Sequence, residues 1–353
     1  MDNKITFSLF ADLHYKKGMY IASIEDLNSV FERAERDGAD FVAHLGDMCN
    51  DYLRSPELVK AYLDNQPGFE VYGVYGNHEL ETVGNTMQIV TPLLTNRPTD
   101  VSWGTADKTI GDGNIAYYYF DKGVFRFIWL DANYSKNPDT QEYEHNLPAS
   151  WGPPDKNAFP NSLGERQLEW LKATLYAAAD EGKHCVVLSH SSFSGLWQDC
   201  NDAQIVRQLF KEVNAVRPKT VILAINGHLH TNHSADIDDV VYLDINAVRS
   251  GWWLSEPFYP YAEEDINAPK YTFEYTEYDQ GGRPACSFMR PLSSLTMGAQ
   301  TLFHADPLSA TVTLYEDGSV SVKGSTTSWL YGIEPDSQFK DDLLRISDLE
   351  IKK

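Results

Sequence analysis

The sequence has few basic residues, and its four cysteines form no CxxC pair. Twenty-nine Lys and Arg residues stand against 51 Asp and Glu residues, which gives a net charge of −22. A surface of this charge repels polyanions, so no nucleic-acid polymer is expected as a partner. A small anionic substrate is still permitted, because bound divalent cations would dominate the field near them. The cysteine spacing does not predict a zinc–cysteine site.

Long apolar runs and targeting signals are also missing. No window approaches about 18 consecutive apolar residues, so neither a membrane span nor a membrane partner is predicted. The first residues, MDNKITFSLFADLH, lead directly into a predicted strand, without a basic region followed by a long apolar stretch. These features predict a cytoplasmic protein and leave its oligomeric state open.

Strand and helix signals alternate in the first half of the chain. Residues 4–11 are apolar and rich in β-forming side chains, and residues 23–37 place apolar side chains at helical spacing. Strand signals return at 41–43 and again at 70–75. Because strands alternate with helices, the pattern predicts an α/β fold with a largely parallel sheet that helices cover.

Composition divides the chain into three predicted parts. Residues 1–250 form the predicted catalytic core. Residues 251–309 are crowded with aromatic side chains that Gly and Pro interrupt, which predicts an irregular insertion or cap. Residues 310–353 contain two strand signals around Asp317-Gly318, a strong hairpin turn, and we expect them to complete the core before a polar tail.

Five short polar clusters follow predicted strands, and nearly all of their polar side chains are Asp, Asn or His. They read Asp12-Leu13-His14, Gly46-Asp47, Gly76-Asn77-His78-Glu79, Ser189-His190 and Gly227-His228-Leu229-His230. The carboxyl ends of parallel strands share one edge of a sheet, so the clusters are expected to meet there. The candidate metal ligands are Asp12, His14, Asp47, Asn77, His190, His228 and His230.

This ligand set predicts two metal ions. Imidazoles mixed with carboxylates suit Mn, Fe and Zn alike, so the metal identity stays open. Seven ligands are too many for one tetrahedral ion and suit two ions that share a carboxylate, which has two oxygens. Two metals about 3.5–4 Å apart lower the pKa of a water between them and clamp both oxygens of a displacement at phosphorus.

The order of the five motifs resembles the calcineurin-like metallophosphoesterase superfamily, over roughly residues 4–250. The resemblance implies a four-layer α/β/β/α sandwich with the active site at the carboxyl ends of the strands. It implies that Asp12, His14 and His230 hold one ion, that Asn77, His190 and His228 hold the other, and that Asp47 bridges them.

The resemblance also implies catalytic roles for three residues. Asn77 would bind phosphate oxygens, Asp47 would hold the metal pair, and His78 would protonate the leaving group.

Two details are typical of a small-molecule branch of that superfamily. Asn50 stands where purple acid phosphatases have a tyrosine ligand, and residues 163–172 (LGERQLEWLK) are similar to a helix of cyclic-nucleotide phosphodiesterase-like members. We therefore expect hydrolysis of a phosphodiester or phosphomonoester of a small, nucleotide-like substrate, by attack of a hydroxide between the metals. The alternatives are a diphosphatase of the ADP-ribose/CDP-alcohol type and a non-catalytic binding scaffold.

Residues near the clusters have open interpretations. His44 lies inside a predicted strand, which favours a buried structural ring over a ligand. Asn133 either forms a turn or contacts substrate. Arg249, Trp252 and Trp253 either pack the insertion onto the sheet or form a wall for a base and a phosphate.

Overall fold

The structure of the protein is a computed structural model. It describes residues 4–15, 22–49, 60–62, 64, 68–80, 94–97, 99–104, 116–136, 141, 143–145, 161–195, 200–252, 272–278, 284–291, 301–330 and 341–352.

Three helices have both of their ends within the described residues, and the first lies within the predicted helical residues 23–37. They are α1 (Ile24–Arg36), α2 (Glu165–Asp180) and α3 (Ala203–Val216). A capping box starts α1, because Ser23 Oγ accepts from the Asp26 amide at 3.2 Å and Asp26 Oδ2 accepts from the Ser23 amide at 2.8 Å. Short 3₁₀ turns span His78–Leu80 and Asp342–Leu344.

The first sheet joins the two ends of the chain. Its strands are β1 (Lys4–Phe10), β2 (Phe41–His44), β3 (Glu70–Gly73), β17 (Ala310–Tyr315), β18 (Val320–Lys323) and β19 (Leu349–Ile351). Their order is β19-β18-β17-β1-β2-β3, with β1, β2 and β3 parallel and β17 antiparallel to β1. The C-terminal strands therefore extend the sheet that the N-terminal strands begin.

The second sheet holds the middle of the chain. Its strands are β4 (Ser102–Trp103), β5 (Tyr118–Lys122), β6 (Phe125–Leu130), β9 (His184–Ser189), β10 (Val221–Asn226), β11 (His233–Ile237) and β12 (Val240–Asp244). Their order is β11-β12-β10-β9-β6-β5-β4, and β6, β9, β10 and β12 run parallel. Strand β11 was not predicted, because its sequence, HSADI, contains no apolar run.

Apolar side chains hold the two sheets face to face. Phe127 of β6 meets the rings of Phe7 and Phe41 at 5.7 and 5.1 Å, which joins the second sheet to the first. Successive residues of β9 alternate, so Val186 packs between the sheets and Val187 packs under α2 and α3. With α1 packed on the first sheet, the layers are α/β/β/α, and the predicted sandwich is confirmed.

Strands also occur where irregular chain was predicted. In the aromatic-rich segment, β14 (Thr272–Tyr278) pairs antiparallel with β15 (Pro284–Pro291). Strand β13 (Ser250–Trp252) pairs with β16 (Thr301–Phe303), and outside that segment β7 (Tyr134–Lys136) pairs with β8 (Tyr143–His145). The aromatic and β-branched residues of TFEYTEY favour a strand over irregular chain. The three-part division of the chain stays a prediction.

No helix among the described residues is long and apolar enough to cross a bilayer.

Candidate metal centre

Five loops meet at one edge of the sandwich. Those after β1, β2 and β3 come from the first sheet, and those after β9 and β10 come from the second. They carry all seven predicted ligands, together with His78 and Glu79. Because these five strands all end at the same edge, side chains that are distant in sequence become neighbours there.

The first cluster consists of Asp12, His14 and His230. The Nε2 atoms of His14 and His230 lie 2.9 Å apart, and Asp12 Oδ1 lies 3.2 Å from the latter. Asp12 Oδ1 is also 3.7 Å from His14 Nε2. One donor atom of each residue therefore faces a common point, and all three residues are buried.

The second cluster consists of Asp47, Asn77, His190 and His228. His190 Nε2 is its centre, at 3.1 Å from Asp47 Oδ2, 3.2 Å from Asn77 Oδ1 and 3.2 Å from His228 Nδ1. Three of these residues are a possible metal-binding group by the spacing of their donor atoms, namely Asp47, His190 and His228.

One oxygen of Asp47 faces both clusters. Its Oδ2 lies 3.6 Å from His14 Nε2 and 3.1 Å from His190 Nε2. Its Oδ1 instead accepts a hydrogen bond from the His78 amide at 2.9 Å. A bridge through both oxygens was predicted from the sequence, but the Asp47 carboxylate presents a single oxygen between the clusters.

These residues fit two divalent metal ions. Metal bonds of about 2.0–2.2 Å put neighbouring ligand atoms about 3–3.5 Å apart. The distances within the two clusters are close to this, from 2.9 to 3.7 Å. Two imidazole nitrogens at 2.9 Å, facing a carboxylate, form a donor set that a cation completes. The buried Asp12 Oδ1 makes no hydrogen bond within the described residues, as expected of an atom directed at an ion.

Five of the seven candidate ligands share an uncommon backbone conformation. Asp12, His14, Asp47, His228 and His230 have φ values of 55°, 49°, 52°, 68° and 47°. They are five of the nine non-glycine residues with positive φ in the described ranges. Each costs of the order of 1–2 kcal/mol relative to ordinary backbone, and such strain concentrates at functional sites.

Glu79 fixes the loop that carries Asp47. Its Oε2 accepts from the amides of Asp47 and Gly76 at 2.9 and 2.6 Å, and its Oε1 accepts from the Met48 amide at 2.6 Å. Gly76 passes so close that a side chain there would overlap the Asp47 carboxylate. Glu79 therefore joins the ends of β2 and β3 from behind the second cluster.

Bonds between the sheets set the orientation of two ligands. His190 Nδ1 lies 2.6 Å from the Leu45 carbonyl oxygen, so Nδ1 carries the proton and Nε2 is left to face the second cluster. The His228 amide donates to Asp12 Oδ2 at 3.0 Å. Each bond ties a loop of one sheet to a loop of the other.

Burial and charge shift the ionisation of the site. Burial opposes charge on His190, but the Asp47 carboxylate outweighs it and raises the pKa of His190 to about 10. Burial lowers the pKa of His230 to about 4, and burial with the charge of His190 lowers that of His228 to about 3. Burial and the Asp47 carboxylate raise the pKa of Glu79 to about 7.

His78 lies beside both clusters. Its Nε2 is 4.0 Å from Asp47 Oδ2, and its ring meets that of His14 edge-on at 4.8 Å. His14, Asp47 and His78 also have donor atoms close enough to form a possible metal group. The distances alone do not separate His78 from the ligands, so its role as an acid stays a prediction.

The other residues weighed in the sequence lie as follows. His44 is buried, and its ring faces the Gly46 amide at 3.3 Å. Arg249 donates to Asp26 Oδ1 at 3.3 Å and to the Ala305 carbonyl at 2.8 Å. Its guanidinium is therefore engaged in hydrogen bonds within the fold. The side chain of Trp252, and Asn50 and Trp253 altogether, lie outside the described residues.

Sequence reasoning missed a buried polar group next to the site. Gln167 of α2 and Asp131, after β6, are both buried and hydrogen-bonded to each other through backbone atoms of Asp131. The signal was present in Leu130-Asp131-Ala132-Asn133, a polar pair directly after an apolar strand.

Comparison with known proteins agrees with this geometry. The profile of the family described as calcineurin-like phosphoesterase matches residues 5–232. The manganese-dependent ADP-ribose/CDP-alcohol diphosphatase of Danio rerio is 24% identical over 228 residues, which cover 54% of this chain and 70% of that protein. The crystal structure of a dimetal phosphatase from Danio rerio is similar in fold, with a TM-score of 0.55, 18% identity and 98% of each chain covered.

Proposed function

The chain belongs to the calcineurin-like phosphoesterase family, and on that premise we propose that it hydrolyses a phosphodiester or phosphomonoester of a small, nucleotide-like substrate. Membership makes it a metal-dependent phosphoric ester hydrolase that uses two metal ions. The observation that carries the proposal is the position of Asp47 Oδ2 between two sets of imidazole nitrogens, at 3.6 and 3.1 Å.

The proposed ligands are Asp12, His14 and His230 for one ion and Asn77, His190 and His228 for the other, with Asp47 shared. When bound, the two ions supply Lewis acidity at the phosphate and a water of lowered pKa. Five of these residues are buried, and Asn77 and His228 are half-buried, so the proposed site opens to solvent beside these two.

Two further side chains have proposed roles in the reaction. Asn77 is only partly buried, so its amide is available to bind a phosphate oxygen as well as to face His190. His78 is held through its amide by Asp47 Oδ1, which directs its ring along the edge of both clusters. From there we propose that it donates a proton to the leaving-group oxygen.

A diphosphatase activity is the second candidate. It is favoured by the similarity to the Danio rerio protein, which acts on ADP-ribose and CDP-alcohols by its name. Both candidates need the same attack at phosphorus and differ in the leaving group, which is an alcohol in one and a phosphate in the other. The proposed substrate is in each case small and anionic.

A substrate comparison tests these proposals. The metal-free protein is supplied in turn with Mn²⁺, Zn²⁺ or Fe²⁺ and assayed on bis-p-nitrophenyl phosphate, p-nitrophenyl phosphate and ADP-ribose. Preference for either nitrophenyl ester supports the first candidate, and preference for ADP-ribose supports the second. Absence of hydrolysis of all three with every metal would overturn both. The predicted cytoplasmic location stays a prediction that cell fractionation would test.

A further inference from the structure

We propose that Asn133, held by Asp131 and Gln167, is a positioning residue that sets the loop bearing Asn77 and His78 against the second sheet. The inference rests on the proposed function, because it concerns the geometry of the proposed metal pair. Asn133 is itself buried and is not a proposed ligand or catalytic residue.

The support begins at helix α2. Gln167 Oε1 accepts from the Asp131 amide at 2.9 Å, and Gln167 Nε2 donates to the Asp131 carbonyl at 2.7 Å. Nε2 also donates to the Leu163 carbonyl at 3.0 Å. The oxygen and the nitrogen of the Gln167 side chain thus both bond to the backbone of Asp131, directly after β6. These two bonds fix the start of the loop that follows the strand.

Asp131 then fixes Asn133. Its Oδ1 accepts from the Asn133 amide at 3.0 Å and from Asn133 Nδ2 at 2.8 Å. The first of these bonds is an ordinary turn contact between residues two apart. The second orients the Asn133 side chain, which a turn does not require.

The side chain so oriented reaches the other sheet. Asn133 Nδ2 donates to the Tyr75 carbonyl at 3.1 Å, and Tyr75 lies two residues before Asn77. Tyr75 follows β3 of the first sheet, whereas Asn133 follows β6 of the second. The bond therefore crosses between the sheets at the edge where the clusters lie.

Each of the three ligand-bearing loops of the first sheet has such a crossing bond. Asp12 accepts from the His228 amide, and the Leu45 carbonyl faces His190 Nδ1. In those two cases the second-sheet partner is itself a candidate ligand. The loop after β3 also meets a candidate ligand, because Asn77 Oδ1 lies 3.2 Å from His190 Nε2. Asn133 adds a crossing bond from outside the ligand set, two residues before Asn77, and thereby supports that approach.

Asn133→Asp is the direct test, because it keeps the shape and replaces the Nδ2 donor by an oxygen. That oxygen would face the Tyr75 carbonyl and the Asp131 carboxylate and repel both. The metal-free variant and wild type are titrated with Mn²⁺ by calorimetry. We expect the binding step of the second cluster to weaken by about 10–100-fold, the range for residues that orient ligands, and the other step to stay near wild type. We expect kcat to fall while KM changes little.

Asn214→Asp is the matched control. Asn214 Nδ2 donates to the Val221 carbonyl at 3.0 Å and its Oδ1 accepts from the Val221 amide at 2.8 Å, at the opposite end of the second sheet. The same substitution there should lower Tm and leave both binding steps unchanged.

The swapped pair Asp131→Asn with Asn133→Asp separates stability from positioning. It restores a hydrogen bond between positions 131 and 133 but gives the Tyr75 carbonyl no donor. We expect Tm to recover towards wild type while the second-cluster step stays weak. If Asn133→Asp does not fold, Asn133→Ser removes the same donor without adding charge.

The inference is overturned if Asn133→Asp, or Asn133→Ser in its place, binds both ions as wild type does. Recovery of the second-cluster step in the swapped pair would overturn it too. A wild-type protein that bound no metal and hydrolysed no phosphoester would instead show failure of the proposed function.

Discussion

A buried carboxyl group lies behind the second cluster, whereas a buried imidazole lies behind the first. Glu79 accepts amide hydrogen bonds from both loops that it joins, at distances of 2.6–2.9 Å. His304 is close enough to His230 for their rings to interact, and burial lowers its pKa to about 4 despite the nearby carbonyls of Val248 and Leu343. Directed bonds to backbone therefore support the second cluster, whereas burial keeps the His304 ring near the first cluster neutral at neutral pH.

The shared carboxylate gives the largest expected difference between the clusters. Asp47→Asn removes the charge that faces both, so turnover should fall by about 10⁴-fold or more, since metal ions contribute several kcal/mol to such reactions. Asp12→Asn removes charge from the first cluster alone. Metal analysis should find less than one ion per chain in the Asp47 variant and one in the Asp12 variant. Equal losses in the two variants would mean that the clusters are not separate.

His78 tests whether all side chains at the edge act as ligands. His78→Ala should lower turnover by about 10²–10⁴-fold, the usual contribution of a positioned acid. Metal content should stay at wild-type level, because the proposed ligands remain. Loss of metal from this variant would make His78 a ligand and overturn the proposed acid role.

The imidazole behind the first cluster should make stability depend on pH. An unfolded chain takes up a proton at His304 below about pH 6.5, whereas the folded protein does so only near pH 4. The unfolded state thus binds more protons between these values, and stability falls as pH drops through that window, by about 3 kcal/mol from this group.

Urea unfolding of wild type and His304→Gln between pH 4 and 7 measures this contribution. The variant should lose less stability than wild type across the window. Parallel curves would show that His304 does not carry the difference.

Substitution of Glu79, the carboxyl group behind the second cluster, has the smallest expected effect. Glu79→Gln turns one acceptor oxygen into an NH₂ group that faces amide donors. Metal affinity of the second cluster should weaken by about 10–100-fold, with the first cluster unaffected. Calorimetric titration with Mn²⁺ distinguishes the two, and an equal loss at both clusters would contradict the localised role of Glu79.

The strands and the ligand-bearing loops were predictable from sequence because their signals are local. Apolar runs such as KITFSLF mark the strands, and Asp or His directly after a run marks the edge of a parallel sheet. The helix at Ile24–Arg36 was equally predictable from the helical spacing of its apolar side chains. Strands β14 and β15 were missed because aromatic side chains broken by Gly and Pro suggested irregular chain.

Support for the site was less predictable, because it depends on contacts between distant residues. Glu79 belongs to one of the polar clusters in the sequence, but its contacts with Asp47 and Met48 cross 31–32 residues. A series of hydrogen bonds links Gln167 of α2 to the loop after β6 and to Tyr75 after β3. Several of these bonds involve backbone atoms, which carry no residue-specific signal in the sequence. Asp47 presents a single oxygen to both clusters because its other oxygen accepts a hydrogen bond from the His78 amide, a contact that composition does not reveal.

The left-handed backbone conformation links the proposed metal site to the places where strands end. It occurs at Asp12, His14, Asp47, His228 and His230. A residue in that conformation cannot continue a pleated strand, so the side chains proposed to bind metal also mark where the sheets stop. Replacing any of them with a strong β-former such as valine would remove a proposed ligand and favour extended backbone at a position where the chain leaves the strand. Substitutions at these positions therefore change the proposed metal site and the backbone beyond the strands together.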